Sequence, residues 1–161
     1  MNKVMYKAFT NQYHGLVNCL RSNIYVEKNG IYNAIAVWDT GAMGTCISNE
    51  LAKKMKLVPT GKQTISTTSG FKLVNTYFVD IILPNKVKVV DVPVCDSEIG
   101  NQQIDVLIGM DIITCGDFCV SNFQGKTVLT YRTPSKQITD YVKESNIDNL
   151  IGKHGKGKRK K

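Results

Sequence analysis

No apolar run in this chain approaches the roughly 20 residues that a membrane-spanning helix needs, so the sequence reads as a soluble protein that does not use a membrane. The opening stretch, Met1 to Val17, lacks a continuous apolar segment and a small-residue cleavage site, which argues against a secretory signal and for an intracellular, cytoplasmic location. Histidine is scarce. Only His14 and His154 are present, and both lie outside the region that holds most of the five cysteines, Cys19, Cys46, Cys95, Cys115 and Cys119. An odd, scattered set of thiols without histidine beside it argues against a zinc site and a disulfide framework, and predicts reduced thiols that are mostly buried. Cys115 and Cys119 are spaced to meet across one helical turn, but nothing near them offers a third and fourth ligand. No metal is expected.

At 161 residues the chain can bury one core and carry a short appendage, not two independent domains. Its net charge of +8 is unevenly placed: Lys153, Lys156, Lys158, Arg159, Lys160 and Lys161 supply six of the excess charges within the last eleven residues, with no acid among them. Such a Gly-punctuated run reads as a solvated end. Nucleic-acid contact through Lys156–Lys161 is the minority reading.

From Ser22 to about Arg132, short β-rich runs alternate with turn signals, the pattern of an all-β barrel or sandwich. NIYVEK and IYNAIAVW flank Asn29-Gly30, a type I′ hairpin signal. YFVDIIL and KVKVVDVPV flank Pro84-Asn85, and FCVSNF and KTVLTY flank Gln124-Gly125. One helix interrupts the series. Ser48 can cap NELAKKMKL, where Ile47, Leu51 and Met55 recur at four-residue spacing and Pro59 closes the element. After Pro134, Ile138, Tyr141, Val142, Ile147, Leu150 and Ile151 recur at helical intervals, predicting amphipathic turns that dock on the barrel or on a partner. The expected organisation is an N-terminal, strand-bearing arm over 1–19, a β domain over 20–134, and a helical segment with a basic tail over 135–161.

The informative stretch is Ala34 to Ala42, where a buried apolar strand runs directly into Asp39, Thr40 and Gly41. Two carboxylates held a few ångströms apart cannot both ionise and share one proton, so one can activate water while the other donates to a scissile carbonyl. The glycine lets backbone approach the carboxylate and can donate its N–H to the anion, while the threonine hydroxyl can tie the loop to its neighbour. Trp38 reads as core.

Val37-Trp38-Asp39-Thr40-Gly41-Ala42 resembles the catalytic loop of retropepsin-like aspartic proteases, the single-lobed relatives of pepsin. Val106-Leu107-Ile108-Gly109-Met110-Asp111-Ile112-Ile113 resembles that family's strand, glycine and short helix beside the catalytic loop. Gln63 to Leu83 reads as a hairpin turning at Thr67-Thr68-Ser69-Gly70, where the family carries its flap. Gly116 to Val120 and Gly125 to Thr130 resemble its closing strands, so the likeness covers roughly residues 20 to 134. The resemblance implies a closed barrel of the acid-protease type, no cofactor, a polypeptide substrate and Asp39 as the catalytic acid and base. Because the sequence has no second Asp-Ser/Thr-Gly, it also implies a homodimer with one Asp39 from each copy. Two departures stand out. Where retroviral members commonly have an acid after the Asp-Thr-Gly-Ala motif and an arginine after the downstream glycine, this chain has Met43 and Met110, an apolar exchange of both partners that would still allow packing. The flap tip has one glycine rather than several, which suggests a stiffer cover.

Each residue also has a plainer reading. Asp39 can cap a turn through its own backbone, and Gly109 can simply relieve packing between strand and helix. Among function classes, an inactive retropepsin-like dimerisation or binding module, with nucleic-acid contact through its tail, is the alternative to an aspartic endopeptidase. An apolar strand ending in Asp-Thr-Gly-Ala also resembles the phosphate loop of actin-like kinases. Those need two α/β lobes, and this chain is short and β-rich.

Overall fold

Strict alternation of inward and outward side chains makes the strands. In the segment Arg21–Glu27, Ser22, Ile24 and Val26 point in, and in Ile31–Trp38 the same role falls to Ala34, Ala36 and Trp38. In Lys126–Thr133 it falls to Thr127, Leu129 and Tyr131. Each fully buried Val, Leu or Ile contributes about 1.5–3 kcal/mol relative to exposure.

The computed structural model describes residues 4–67 and 70–155. In chain order the elements are β1 (Lys7–Gln12), β2 (Arg21–Glu27), β3 (Ile31–Trp38), β4 (Cys46–Ser48), α1 (Asn49–Lys54), β5 (Gly61–Thr67), β6 (Gly70–Ile82) and β7 (Lys88–Ser97). A 3-10 turn at Gly100–Gln102 leads to β8 (Val106–Ile108), α2 (Met110–Ile113), β9 (Asp117–Phe123), β10 (Lys126–Thr133) and α3 (Tyr141–Gly155). The protein is mostly β with a few short helices. Its main sheet has the order β2-β3-β8-β4-β7-β6-β5, with a further pairing of β2 to β6 over Tyr25↔Ile82 to Glu27↔Asp80. A second sheet has the order β1-β10-β9.

The three expected hairpins form. Asn29 and Gly30 both adopt positive φ, 54° and 134°, which is why this pair suits the turn, although residues 28–30 separate the paired Glu27 and Ile31, one more than a two-residue turn. Gln124 and Gly125 likewise take φ of 51° and 75° between β9 and β10. The helix after β4 begins where its cap predicts, with Ser48 Oγ accepting from the Leu51 N–H at 3.1 Å, and Ile47, Leu51 and Met55 are buried.

Two outcomes lay beyond local sequence. The strand in the N-terminal arm, β1, is hydrogen-bonded along its length to β10, from Lys7↔Thr133 to Gln12↔Val128. The C-terminal amphipathic segment forms α3, capped by Asp140 Oδ1 at 3.1 Å from the N–H groups of Val142 and Lys143; the Tyr141 hydroxyl meets Cys119 of β9, but the apolar face is not buried on the sheets. Tyr141, Val142, Ile147, Leu150 and Ile151 are all exposed. Lys156–Lys161 lie outside the described residues, and no helix among the described residues is long and apolar enough to cross a membrane.

Candidate active site

Inward alternation along β3 ends at Trp38, and the next residue leaves the strand. Trp38 is core, as its sequence context predicts. Its indole Nε1–H donates to Ser22 Oγ at 2.9 Å, and its ring lies 5.8, 5.7 and 5.1 Å from those of Phe9, Phe118 and Tyr131. Its backbone N–H donates to the Leu20 carbonyl at 3.0 Å, and that of Asp39 to the Ile108 carbonyl at 2.9 Å, so the strand end is held from both sides. Asp39 is half-buried and Thr40 exposed. Asp39 Oδ1 accepts the Gly41 N–H at 2.8 Å, and a Cβ on Gly41 would sit only 3.1 Å from that oxygen. The glycine therefore does what both readings of the tripeptide required: it closes an Asx-type turn and donates to the carboxylate. Ala42, half-buried, completes the turn, its N–H directed at the Asp39 carbonyl at 3.3 Å.

From Ala42 onward the loop is braced by β8 and α2. Ala42 and Met43 carbonyls accept the N–H groups of Met110 and Asp111 at 2.8 and 3.2 Å. Gly109 is required by space rather than by its φ of −92°, because a Cβ there would lie 2.6 Å from the carbonyl carbon and oxygen of Gly44. Ile108, fully buried, delivers that glycine to the loop. The Asp111 carboxylate takes the Thr45 N–H on Oδ2 at 3.0 Å and the Thr45 hydroxyl on Oδ1 at 2.7 Å, and Thr45 Oγ1 in turn accepts the Gly109 N–H at 3.2 Å. Thr45 is buried. A fully satisfied polar knot thus fastens the Asp39 loop to α2.

Thr45 and Asp111 were not singled out from the sequence, and the available signal was an acid inside the apolar run Val106 to Ile113. Met43 and Met110 do not pack as a replacement pair. Met110 lies against the core, whereas Met43 is 90 % exposed. The knot, not the methionines, holds this corner of the site.

The hairpin expected to cover the site is formed by β5 and β6, with Thr67 opposite Gly70 and Gly70 at φ 116°. Thr68 and Ser69 lie outside the described residues. Phe71 and Leu73, at alternate positions of β6, are exposed.

The thiols depart from expectation. Only Cys95 is buried, and Cys115 is exposed. Cys115 follows α2 and Cys119 lies within β9, so they do not share a helical turn, and Cys119 Sγ instead lies 3.1 Å from the Tyr141 hydroxyl. They sit at element ends and sheet surfaces, where a small apolar side chain meets no requirement for burial. Among the described residues no three His, Cys, Asp or Glu side chains converge as a metal site.

An acid at the end of an apolar strand, a tight glycine turn and a downstream strand-glycine-helix that braces it make up the candidate site. The family model described as aspartyl protease matches residues 24–112, more than half of the chain, and the chain belongs to that family. Among solved structures it is similar to a retropepsin-like aspartic protease from Rickettsia conorii, at 16% identity and a TM-score of 0.54, covering 83% of this chain and 99% of that one, which is a likeness of fold. It is also similar to the Simian Foamy Virus (mac) protease, at 21% identity and a TM-score of 0.42 over 57% of this chain and 89% of that one. A foamy viral protease-reverse transcriptase, solved with an RNA/DNA hybrid, is 27% identical with a TM-score of 0.45 over 59% of this chain, which spans only 11% of that longer protein. No curated protein matches the sequence.

Proposed function

We propose that the chain is an aspartic endopeptidase, active as a homodimer in which Asp39 of each copy faces the other across a two-fold axis. The observation that carries this reading is the half-site itself: Asp39 stands half-exposed at the end of β3, on a loop fixed by Gly41, Gly109 and the Thr45–Asp111 knot, while the chain has no second such motif. One carboxyl without a mate cannot divide the labour of base and acid, and a second copy supplies the mate. In the dimer one Asp39 removes a proton from water, the other donates to the peptide carbonyl, and the roles exchange by symmetry. No covalent intermediate forms and no metal or organic cofactor takes part. Thr40, exposed beside the acid, ties the two loops together in the proposed dimer. The hairpin of β5 and β6, with Thr67 opposite Gly70 at its end, covers a polypeptide substrate, and the β2–β6 pairing supports reading the main sheet as the closed barrel of this fold class.

The test is cleavage of a diverse peptide library at several pH values by the wild type and by Asp39→Asn. Cleavage by the wild type alone, blocked by a statine-type transition-state mimic, is expected. Equal turnover by the variant overturns the mechanism. Specific activity should fall on dilution through the dimer dissociation constant, and full activity in a species that sediments as a monomer would overturn the assembly.

A further inference from the structure

Two nucleophilic side chains that the proposed cleavage does not use face each other beside the catalytic loop. Cys46 and Cys95 are direct partners in the parallel pairing of β4 with β7, and their sulfurs lie 3.2 Å apart. Neighbouring strands run about 4.8 Å apart, within the Cα separation that a cystine spans, so no element has to relocate for the two to bond. Cys95 is 5% exposed and Cys46 half-buried, which admits a small oxidant and hinders a bulky one. We propose that Cys46 and Cys95 form a reversible redox pair, joined as an intrachain disulfide by a hydroperoxide and reopened by a thiol reductant.

The protons of the pair are already arranged for this. The hydrogen bond from Cys46 pulls the Cys95 thiol down to about 7, against the opposing effect of burial. Cys46 is pushed up by the same hydrogen bond, then by burial and by the Cys95, Asp111 and Asp39 charges. One proton therefore leaves the pair readily near neutrality and the other is retained between the sulfurs. The thiolate is the reactive form. It attacks one peroxide oxygen, the O–O bond breaks, and the departing hydroxide takes the retained proton as water, leaving a sulfenic acid on one sulfur and a thiolate on the other. That thiolate attacks the sulfenyl sulfur, the S–O bond breaks, and the hydroxide released takes a solvent proton. Two thiols and one hydrogen peroxide thus give one disulfide and two waters, with the sulfurs oxidised and the peroxide oxygens reduced.

Bond formation draws the sulfurs together by about 1 Å. The movement falls on Cys46. Both cysteines are paired on two sides, Cys95 to Thr76 of β6 and to Cys46, and Cys46 to Cys95 and to Leu107 of β8, but β7 is ten residues long whereas β4 has three and follows directly on Thr45. Thr45 carries the hydrogen bonds to Asp111 and Gly109 that brace the catalytic loop. Oxidation therefore pulls on the base of that loop, and this consequence rests on the protease reading, while the disulfide does not.

The full chain is treated with hydrogen peroxide, quenched, alkylated under denaturing conditions and mapped by fragment-ion mass spectrometry. A Cys46–Cys95 link with loss of two hydrogens, reversed by dithiothreitol, is expected, together with a rise in Tm on the order of 5 °C from closing the long loop. The same link is expected in a variant with Cys19, Cys115 and Cys119 replaced by serine. Both thiols recovered as alkylated, oxidation stopping at sulfinic acid, or a bond to another cysteine would each overturn the pair. In the cleavage assay, peroxide should lower kcat several-fold, and dithiothreitol should restore it in the wild type but change nothing in Cys46→Ser. Methionine sulfoxide at exposed Met43 would not be reversed by dithiothreitol. A mapped disulfide without loss of kcat would leave the redox pair standing and overturn its link to the loop.

Discussion

The Asp39 loop, residues 39–45, and the C-terminal helix α3 are both short segments with strong local signals, and they end in opposite states. The loop is polar and turn-rich, yet it is tied down by hydrogen bonds from residues about 66 positions away, Asp111 to Thr45 above all. The helix carries a run of apolar side chains at helical spacing, yet those side chains remain in water: Val142 is 72% exposed and Ile151 66%. Apolar periodicity fixes the conformation of a segment. Whether it is buried depends on a complementary surface elsewhere, which the loop finds in α2, whereas the apolar side chains of the helix stay exposed among the described residues.

The largest effect is expected from the loop's chemistry. Asp39→Asn should reduce peptide cleavage by about a thousandfold or more while leaving the melting transition near that of the wild type. A coincident collapse of Tm would recast Asp39 as a structural turn residue. The next acts on the loop's packing: Gly109→Ala forces a methyl into the backbone of Gly44 and should cost about 3 kcal/mol, a Tm loss of roughly 6–12 °C. An unchanged Tm would mean that the bracing is slack. Asp111→Ala strands the buried Thr45 donors and should cost about 2 kcal/mol, measured by urea unfolding.

Smaller effects belong to the C-terminal side. Ser135, the Lys136 N–H and Arg132 hold the Asp117 carboxyl down to about 2, in that order. A carboxyl lowered on folding adds stability above its unfolded pKa of about 3.9, and that contribution is lost as pH falls from there through about 2. The gap in Tm between wild type and Asp117→Asn should therefore narrow across that window and stay constant above about pH 5. Least of all, Val142→Lys with Ile151→Lys should move stability by no more than about 0.5 kcal/mol. A drop of several degrees, lost on dilution, would show that a second molecule covers α3 and would erase the contrast with the loop.

Much of the fold and of the site could be read in advance where the cause was local. Asn29-Gly30 marks its hairpin because both residues tolerate positive φ, Ser48 marks a helix start because its hydroxyl meets a free N–H three residues on, and Asp39-Thr40-Gly41 marks the turn because a glycine N–H can reach the carboxylate two residues back. The buried faces of β2, β3 and β10 follow from alternation alone. The partner of Thr45, the sulfur facing Cys46 and the strand receiving β1 left no comparable mark.

The sequence by itself determined the strands, their turns, the capped helix and the position of the acid at a strand end, because backbone preference, side-chain alternation and short-range hydrogen bonds act within a few residues. The tertiary structure alone decided that Asp111 secures the loop, that Cys46 meets Cys95, that β1 joins β10 and that the apolar side chains of α3 stay exposed among the described residues. Those are choices of register and neighbour between distant segments, and they are set by which pairing buries the shared core while leaving no inward-facing polar group without a partner.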